Sequence, residues 1–486
     1  MILKCLNNDF GVLMSVSVRD ICEAFFDLEE KYNLNYQEIQ GCYAWQLIRM
    51  HLYYDITRKT QIFGAPQQKS LSLFDKVKTF LPFFKNSVFK NPFSGKYTKD
   101  ILVFDHPRKV IFNGKYCDIY SKFLVDFLKD DYSFEVIESA YLNNHYTEPE
   151  DYIKYNDAIQ LSSYVYKKFN KIEFSQSEME LISKVQNELE SIFNIKLNIP
   201  WMMTTHILNF QYDFKKYVEL FEKRKPKMVF VVVAYENHPV VAAAKHLGIE
   251  AIELQHGTIT DYHLGYSYPE KTRLQGEIPY FPDKILSFGD YWMSEKTSPI
   301  SQDNIVPVGF SYFEAQSKDF INLDSIPDQV LFISQGVIGK YLSKLAFEFA
   351  KNQNDLKIIY KLHPGEYETW RQNYPELVEA SSFDNFTVID NSEIPLYKLL
   401  AESTYQVGAF STAIYEGLMF NCKTFILDVP GVEYLDDLVE ENYVFKIGDA
   451  SDLKDNLVDF KPRDYDKNFF FKSLDEKLLK SVIDNG

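Results

Sequence analysis

The sequence is poor in cysteine and has no long apolar run. Its five cysteines are scattered over 486 residues, without the spacing of a disulfide framework or a zinc motif. The longest apolar run, Met228–Ala234, is far shorter than the roughly 20 residues that a membrane-spanning helix needs. The first residues lack the basic region, apolar stretch and cleavage site of a secretory signal. These absences predict a cytoplasmic protein without structural disulfides or membrane-spanning helices.

Positive charge is also scarce in this chain. Lysine and arginine number 52 against 69 aspartates and glutamates, so the formal net charge at pH 7 is −17. Proteins that bind nucleic acid need a basic surface for the phosphate backbone, so we expect no nucleic-acid partner. The sequence has no internal repeat, and its length suffices for two or three domains.

The clearest pattern lies in the C-terminal third. Apolar runs of strand length alternate with helix-like segments there; the runs are Leu356–Tyr360, Phe386–Ile389, Tyr405–Ala409 and Thr424–Leu427. This alternation is typical of βα units on a parallel sheet. Ligands of such sheets bind at the carboxyl ends of the strands, where helix N-termini present unpaired N–H groups. Residues at these strand ends are therefore the first candidates for a binding site.

Two of these strand ends carry residues suited to binding phosphate. Ser411 and Thr412 follow one strand, and their hydroxyls at a helix start can hold phosphate oxygens, while Gly408 allows a tight turn beneath the ligand. His363 follows another strand, is held by Pro364, and can donate a proton to a departing phosphate. We expect the two ends to be neighbours. Each motif also has a purely structural interpretation, since Ser-Thr pairs cap helices and His-Pro pairs form turns.

Three further residues extend this candidate site. Glu416 lies one helical turn after Thr412, where its carboxylate can accept hydrogen bonds from ribose hydroxyls. Gly336 and Lys340 follow the predicted strand Val330–Ser334 and can approach a diphosphate or a sugar carboxylate. The glycine pattern by itself is a weak indication of a binding site. It gains weight because we expect it on the same sheet edge as His363 and Ser411.

The two motifs His363-Pro364 and Ser411-Thr412 resemble those of GT-B glycosyltransferases of bacterial surface polysaccharides, in particular sialyl-, polysialyl- and Kdo-transferase-like families. The resemblance covers the C-terminal third by motif and the rest by architecture. It implies an α/β, GT-B-like fold with two Rossmann-like domains facing a central cleft, preceded by extra N-terminal helices. It also implies a nucleotide-sugar donor in the C-terminal domain, an acceptor in the N-terminal domain, and neither a metal nor another cofactor.

The predicted division of the chain follows from this architecture. Residues 1–100 form a helical, partly basic-aromatic start of the acceptor domain, and residues 101–300 its Rossmann-like part. Residues 301–464 form the nucleotide-sugar domain. The tail Tyr465–Ile483 predicts a helix, which in GT-B folds crosses back to the first domain; residues 465–486 are assigned to it.

Polar residues also follow two strands predicted in the N-terminal half. Glu236 and His238 come after the strand Met228–Ala234; the strand Ile249–Leu254 is followed by a polar group comprising His256, Asp261 and His263. These titratable groups form a dense cluster in a chain of only nine histidines. Their spacing matches no standard metal motif.

The base that deprotonates the acceptor is expected within this cluster. Glu236 is the favoured candidate, because it follows a wholly apolar strand and burial would raise its pKa. Asp261 is expected to bind acceptor hydroxyls, with His256 and His263 as further candidates. The alternatives are structural: Glu236 can cap the following helix, and His256 can belong to a turn. The acidic-acidic-glycine motif of the sialyltransferase-like families is absent, so the resemblance does not identify the base.

Residues 71–99 invert the acidic character of the chain. They contain six lysines and one aspartate, interleaved with phenylalanines. One interpretation is contact with an anionic membrane surface or a lipid-linked acceptor. A solvated loop held by its phenylalanine side chains is the preferred interpretation, because the segment has no clear amphipathic helical pattern.

The function predicted from these features is glycosyl transfer from a nucleotide sugar, with a CMP-sugar favoured over a nucleoside diphosphate sugar. The acceptor would be a growing capsule or O-antigen glycan, and the enzyme would be a metal-independent hexosyl- or sialyl/Kdo-type transferase at the inner face of the cytoplasmic membrane. A nucleotide-sugar 2-epimerase and a non-catalytic scaffold of a polysaccharide assembly complex are the alternatives. An epimerase would need no acceptor glycan, and a scaffold would bind no nucleotide.

Overall fold

The chain forms two parallel sheets that are covered by helices. The computed structural model describes residues 16–63, 83–142, 144–292, 297–466 and 468–485. The strands are β1 Ile101–Phe104, β2 Val110–Phe112, β3 Lys115–Cys117, β4 Phe134–Glu138, β5 Ile153–Tyr155, β6 Met228–Val232, β7 Glu250–Leu254, β8 Lys284–Leu286, β9 Ile305–Val306, β10 Ile326–Ile333, β11 Lys357–Lys361, β12 Phe386–Ile389, β13 Ser403–Gly408, β14 Lys423–Leu427 and β15 Phe445–Ile447.

Seven strands form the first sheet, in the order β5-β4-β1-β6-β7-β8-β9, and six form the second, in the order β12-β11-β10-β13-β14-β15. Every pairing within these two sheets is parallel, and β2 and β3 form a separate antiparallel hairpin. The central strand β6 is buried along its whole length, as expected for a parallel strand with helices on both faces. The predicted α/β fold with two Rossmann-like domains is confirmed.

The helices connect these strands and cover both sheets. They are α1 Val18–Tyr32, α2 Ala44–Thr60, α3 residues 83–89, α4 Lys122–Asp131, α5 Asp157–Phe169, α6 Gln176–Phe193, α7 Ile199–Arg224, α8 His238–His246, α9 Glu270–Gln275, α10 Ser311–Ser317, α11 Gly339–Ala350, α12 Trp370–Asn373, α13 Pro375–Ala380, α14 Leu396–Ala401, α15 Thr412–Met419, α16 Asp436–Glu440, α17 Ala450–Asn456 and α18 Glu476–Asn485.

The predicted extra N-terminal helices are present as α1 and α2, which pack with α6 and α7 in one apolar cluster. A capping box at Ser17 and Asp20 fixes the start of α1. Arg49 of α2 is fully buried and pairs with Glu29 of α1 at 2.5 Å, which satisfies two charges inside this layer.

The end of the chain returns to the first domain. Strand β9 pairs with β8, so the first sheet continues beyond residue 300. The backbone N–H of Lys472 donates to Phe288 at 2.8 Å, and Lys472 accepts from Phe310 at 2.9 Å. The chain passes so close to Gly309 that a Cβ there would lie 2.4 Å from the carbonyl oxygen of residue 473, which requires glycine. The helix predicted over residues 465–483 begins only at Glu476; before it, the N–H of Asp475 donates to Val308 of the first domain at 2.9 Å.

Candidate functional site

A pocket of about 360 Å³ lies between the carboxyl ends of the two sheets. The loop after β7 contributes Gly257, Thr258 and His263, and Ser411 and Thr412 are among the residues that line the opposite wall. The second domain contributes residues that follow β10, β13 and β14. The volume lies within the range of about 300–1,000 Å³ that small-molecule sites occupy. Its position at the carboxyl ends of both sheets, where ligands of parallel sheets bind, makes this pocket the candidate ligand site of the protein.

Contacts between the domains border this pocket. The hydroxyls of Tyr53 and Tyr434 are hydrogen-bonded, and the rings of Phe63 and Phe410 lie 5.6 Å apart. Tyr434 and Phe410 also line the pocket. The first-domain helices therefore close one end of the cleft by touching the second domain.

Ser411 and Thr412 occupy the predicted position at the start of α15. Ser411 is the N-cap, and its Oγ accepts a hydrogen bond from the N–H of Ala413 at 3.3 Å. Both residues are partly exposed and line the pocket, so the hydroxyls and the helix N-terminus are available to an anion. Gly408 lies beneath them, and a Cβ there would meet the side chain of Ile414 at 2.9 Å. A larger residue there would require the end of the Ile414 side chain to move, and the backbone angle of Gly408 is one that other residues also adopt.

The strand β10 places Gln335 in the pocket wall, a residue that sequence reasoning missed. Its Oε1 is buried and has no hydrogen-bond partner within the described ranges. A buried acceptor without a partner is costly, so this oxygen is suited to a donor from a ligand. The predicted residues Gly336 and Lys340 are exposed, and neither belongs to the described pocket lining. Only the position of Gln335 at a strand end could have indicated it.

His363 is exposed and caps a single 3-10 turn. Its Nδ1 accepts from the N–H of Gly365 at 3.1 Å, and its own N–H donates to Glu366 at 2.8 Å. Nδ1 is therefore occupied, and a neutral ring carries its proton on Nε2. Pro364 begins the turn, as predicted.

The predicted adjacency of the ends at His363 and Ser411 is wrong. Strand β10 lies between β11 and β13, so the two ends are roughly 10 Å apart at the usual strand spacing. The pocket lining described above reaches Ser411 but does not include His363. Strand order in a parallel sheet does not follow chain order, and the sequence therefore could not show this separation.

Glu416 lies in the second turn of α15 and faces the first domain. Its Oε1 accepts from the Tyr397 hydroxyl at 3.1 Å. Burial raises the pKa of Glu416 to about 7, and the Tyr397 hydrogen bond partly opposes this shift. Burial is the main cause of the raised pKa values of Tyr120 in the first domain and of Tyr312 in α10, and the charge of Glu416 adds to both, so Glu416 lies near these two residues.

On the first-domain side, His256 lies immediately before the pocket residues Gly257 and Thr258. Its Nδ1 is 3.0 Å from the Tyr266 hydroxyl, and its Nε2 is 3.3 Å from the Tyr235 hydroxyl. Its ring also lies near those of His106 and Tyr120, at centroid distances of 6.4 and 6.2 Å. His256 is thus held by ordered aromatic groups at the edge of the cleft.

Glu236 is exposed, so the dry setting that was predicted to raise its pKa is absent. The wholly apolar strand β6 ends at Val232, and a short 3-10 turn over Ala234–Glu236 carries the carboxylate out to the surface. His238 begins α8 with its ring 6.1 Å from that of Tyr280, and burial lowers its pKa to about 3.

Asp261 and His263 are the other candidates in the loop after β7, and of these two His263 lines the pocket. Asp261 accepts from the Thr297 hydroxyl at 2.9 Å and lies outside the described lining of the pocket. His263 lines the pocket, and its Nδ1 accepts from the N–H of Gly265 at 3.1 Å. Burial, together with the neighbouring His256, lowers the pKa of His263 to about 3. This makes His263 a weak proton acceptor and a stable hydrogen-bonding group.

Comparison with known proteins adds little beyond the general arrangement. No family model matches the sequence, and no curated protein matches it either. Similar solved structures include UDP-GlcNAc 2-epimerase from Methanocaldococcus jannaschii, which is 12% identical, covers 81% of this chain and 100% of that chain, and has a TM-score of 0.47. The lipopolysaccharide outer core galactosyltransferase WaaB (12% identity, 80% and 99%, TM-score 0.42) and Acinetobacter baumannii MurG (11%, 80% and 99%, 0.42) are others. At these scores none of them bears on the reaction of this chain.

Proposed function

We propose that this protein is a glycosyltransferase that moves a sugar from a nucleotide-sugar donor to an acceptor glycan. The observation that supports this proposal is the pocket between the sheets, which has hydroxyls at a helix N-terminus on one wall and His256 beside the other. Glycosyl transfer needs both: a group that stabilises the leaving phosphate and a base that takes the acceptor proton. Two domains that hold these groups across a cleft also orient the two substrates.

The second domain would bind the donor in this proposal. Ser411 and Thr412 hold phosphate oxygens, and Gln335 accepts a hydrogen bond from a donor hydroxyl or amide. Glu416 is the candidate for the ribose hydroxyls. His363 reaches the phosphate only if the donor extends across the end of β10, because that strand lies between the strand that precedes His363 and the strand that precedes Ser411. A CMP-sugar remains the favoured donor, as the resemblance in the two motifs implies.

The first domain would bind the acceptor, with His256 as the base. Glu236 is exposed and Asp261 is engaged by Thr297, whereas the Nε2 of His256 points to the Tyr235 hydroxyl at the cleft. His256 therefore replaces Glu236 as the favoured candidate. The acceptor remains a growing bacterial surface glycan, free or linked to a lipid.

Nucleotide binding tests the proposed donor site. We expect the double variant Ser411→Ala, Thr412→Ala to weaken nucleotide binding by about 3–6 kcal/mol, because the two lost charge-assisted hydrogen bonds contribute about 1.5–3 kcal/mol each. Isothermal titration with CMP, CDP, UDP and GDP measures the loss and identifies the preferred nucleotide. Asp449→Ala is the matched control, since Asp449 caps α17 of the same domain away from the pocket. Equal affinity in the wild type and the double variant would remove this site.

The same titration identifies a scaffold, and a turnover assay with and without acceptor identifies an epimerase. A scaffold would bind none of the four nucleotides. An epimerase would convert a nucleotide sugar without any acceptor, whereas the proposed transferase turns over at a significant rate only when the acceptor glycan is added.

A further inference from the structure

A carboxylate is buried in the first sheet directly behind His256. Glu253 lies in β7, its exposed fraction is 0%, and its Oε2 has no hydrogen-bond partner among the described residues. Successive side chains of a strand alternate between faces, so Glu253 shares the face of Ala251, which packs in an apolar cluster. Burying a carboxylate in apolar surroundings costs free energy unless hydrogen bonds or an opposite charge compensate it.

The Tyr266 hydroxyl joins Glu253 to His256. It lies 2.6 Å from Glu253 Oε1 and 3.0 Å from His256 Nδ1, while Glu253 Oε1 and His256 Nδ1 are 3.7 Å apart. The phenol has a single proton, which can be donated to only one of these two atoms. The distance to Glu253 Oε1 is the shorter of the two, which assigns the phenol proton to the carboxylate.

This proton assignment fixes the state of the histidine. Burial and the charge of Glu253 raise the pKa of Tyr266 well above its usual value, so the phenol remains protonated. Since its proton is donated to Glu253, its oxygen accepts from His256, and the histidine proton lies on Nδ1. The Nε2 lone pair then accepts a hydrogen bond from the Tyr235 hydroxyl, 3.3 Å away, until the hydroxyl of an acceptor takes that place.

The other groups around the ring carry no competing charge. His106 and His263 both have a pKa lowered chiefly by burial, so both are neutral near pH 7. Tyr120 and Tyr235 have raised pKa values for the same reason and remain protonated. Among these groups Glu253 is the one anion that can stabilise a protonated His256.

We propose that Glu253 and Tyr266 are positioning residues that hold His256 with its proton on Nδ1, which leaves Nε2 as the proton acceptor for the acceptor hydroxyl. This inference rests on the proposed function for its chemical step. The acceptor oxygen forms a bond to the sugar carbon as its proton passes to Nε2. The bond from that carbon to the leaving phosphate oxygen breaks, and its electron pair stays on the phosphate. The imidazolium formed in this step donates from Nδ1 to the Tyr266 hydroxyl, which in turn donates to Glu253. Through this chain the carboxylate of Glu253 stabilises the positive charge on His256.

The tautomer can be measured without any substrate. In protein labelled with ¹⁵N-histidine, long-range ¹H–¹⁵N correlation spectra distinguish a protonated ring nitrogen from an unprotonated one, and His256→Gln identifies the signals. We expect the proton on Nδ1 in the wild type. In Glu253→Leu the phenol loses its acceptor and donates to Nδ1 instead, so the proton should move to Nε2. Glu253→Gln keeps an acceptor oxygen and should retain the wild-type tautomer at least in part.

Activity provides the second readout. Glu253→Leu should lower kcat about 100-fold or more, the lower bound of what a positioned base contributes, with the donor KM nearly unchanged. Glu253→Gln should recover part of this loss. Tyr268→Phe removes a hydroxyl from another buried tyrosine of the same loop and should leave both the tautomer and kcat unchanged, which controls for general damage to the loop.

The outcomes separate this inference from the proposed function. A proton on Nε2 in the wild type, or on Nδ1 in both the wild type and Glu253→Leu, would overturn the inference even if the enzyme transfers sugars. The expected tautomers in a protein that transfers no sugar would retain the positioning device and refute the glycosyltransferase proposal.

Discussion

Glu416 makes the free energy of unfolding of the protein depend on pH. Its pKa is raised by burial from 4.5 to about 7, so the folded state binds the proton more tightly than the unfolded state. The free energy of unfolding therefore falls as the pH rises from about 4.5 to about 7, and it stays lower above this range. The buried Glu416 carboxylate thus destabilises the protein at neutral pH.

Glu416→Gln should remove this pH-dependent loss. Relative to the wild type, its free energy of unfolding should increase by about 3 kcal/mol between pH 4.5 and pH 8, since one pKa unit corresponds to about 1.4 kcal/mol. Denaturant unfolding at a series of pH values measures the difference, with the exposed acid Glu379→Gln as the control. A difference that is constant across the series would show that Glu416 is not perturbed.

His363 is exposed and caps only one short turn, so its contribution to folding is small. His363→Ala should lower kcat about 100-fold or more if the ring assists the leaving phosphate, with little change in Tm. His363→Asn can restore the cap acceptor but cannot donate a proton, and its kcat should be as low as that of the alanine variant. Normal turnover in both variants would make this histidine purely structural.

At the scale of single elements, α3 lies in the basic segment 71–99, of which the structure describes residues 83–99. Phe84 is 63% exposed and Phe89 75% exposed, and Lys85 and Lys90 lie beside them. Exposed aromatic rings between lysines favour the interface of an anionic bilayer. Among the described residues, no helix has the length and apolar character to cross a membrane. From the exposed rings and the adjacent lysines we propose that α3 contacts the surface of such a bilayer.

Vesicle sedimentation tests this contact. The double variant Phe84→Ser, Phe89→Ser should bind vesicles that contain phosphatidylglycerol roughly tenfold more weakly or worse, because each ring loses its burial in the interface. Added salt should weaken the binding of the wild type. Phe169→Ser is the control, since Phe169 is also exposed and follows lysines, but lies at the end of α5. Equal loss in the control, or no vesicle binding by the wild type, would contradict a role for α3.

At the scale of the whole molecule, the returning C-terminal segment makes the first domain depend on the end of the chain. Leu479, Val482 and Ile483 of α18 are buried in the cluster that covers β1 and β4. The first domain therefore completes its core with residues that come after the second domain in sequence. Folding of the two domains is expected to be cooperative for this reason.

Leu479→Ala should lower the free energy of unfolding by about 2–5 kcal/mol, the usual cost of such a truncation in a core. Nucleotide affinity should stay unchanged, because α18 packs on the first domain and the proposed donor site lies in the second. Denaturant unfolding and the nucleotide titration measure the two effects, and Ser481→Ala on the exposed side of α18 is the control. A change below about 1 kcal/mol would show that the returning helix is not part of the core.

Local sequence patterns determined the class of the fold and several elements of the candidate site. The alternation of apolar runs with helical segments depends only on neighbouring residues, and it predicted the parallel strands β11–β14. The start of α15 at Ser411 and Thr412 is likewise local, since an N-cap needs only its own hydroxyl and the following N–H groups.

The tertiary structure decided which of these strand ends meet. Strand order placed β10 between His363 and Ser411, and it brought Gln335 into the pocket. A short turn exposed Glu236. The Tyr266 hydroxyl came into contact with His256, 10 positions earlier in the chain, and with Glu253, 13 positions earlier. Burial and hydrogen-bond geometry are set by residues distant in the chain, and the sequence alone could not assign the roles of these titratable groups for that reason.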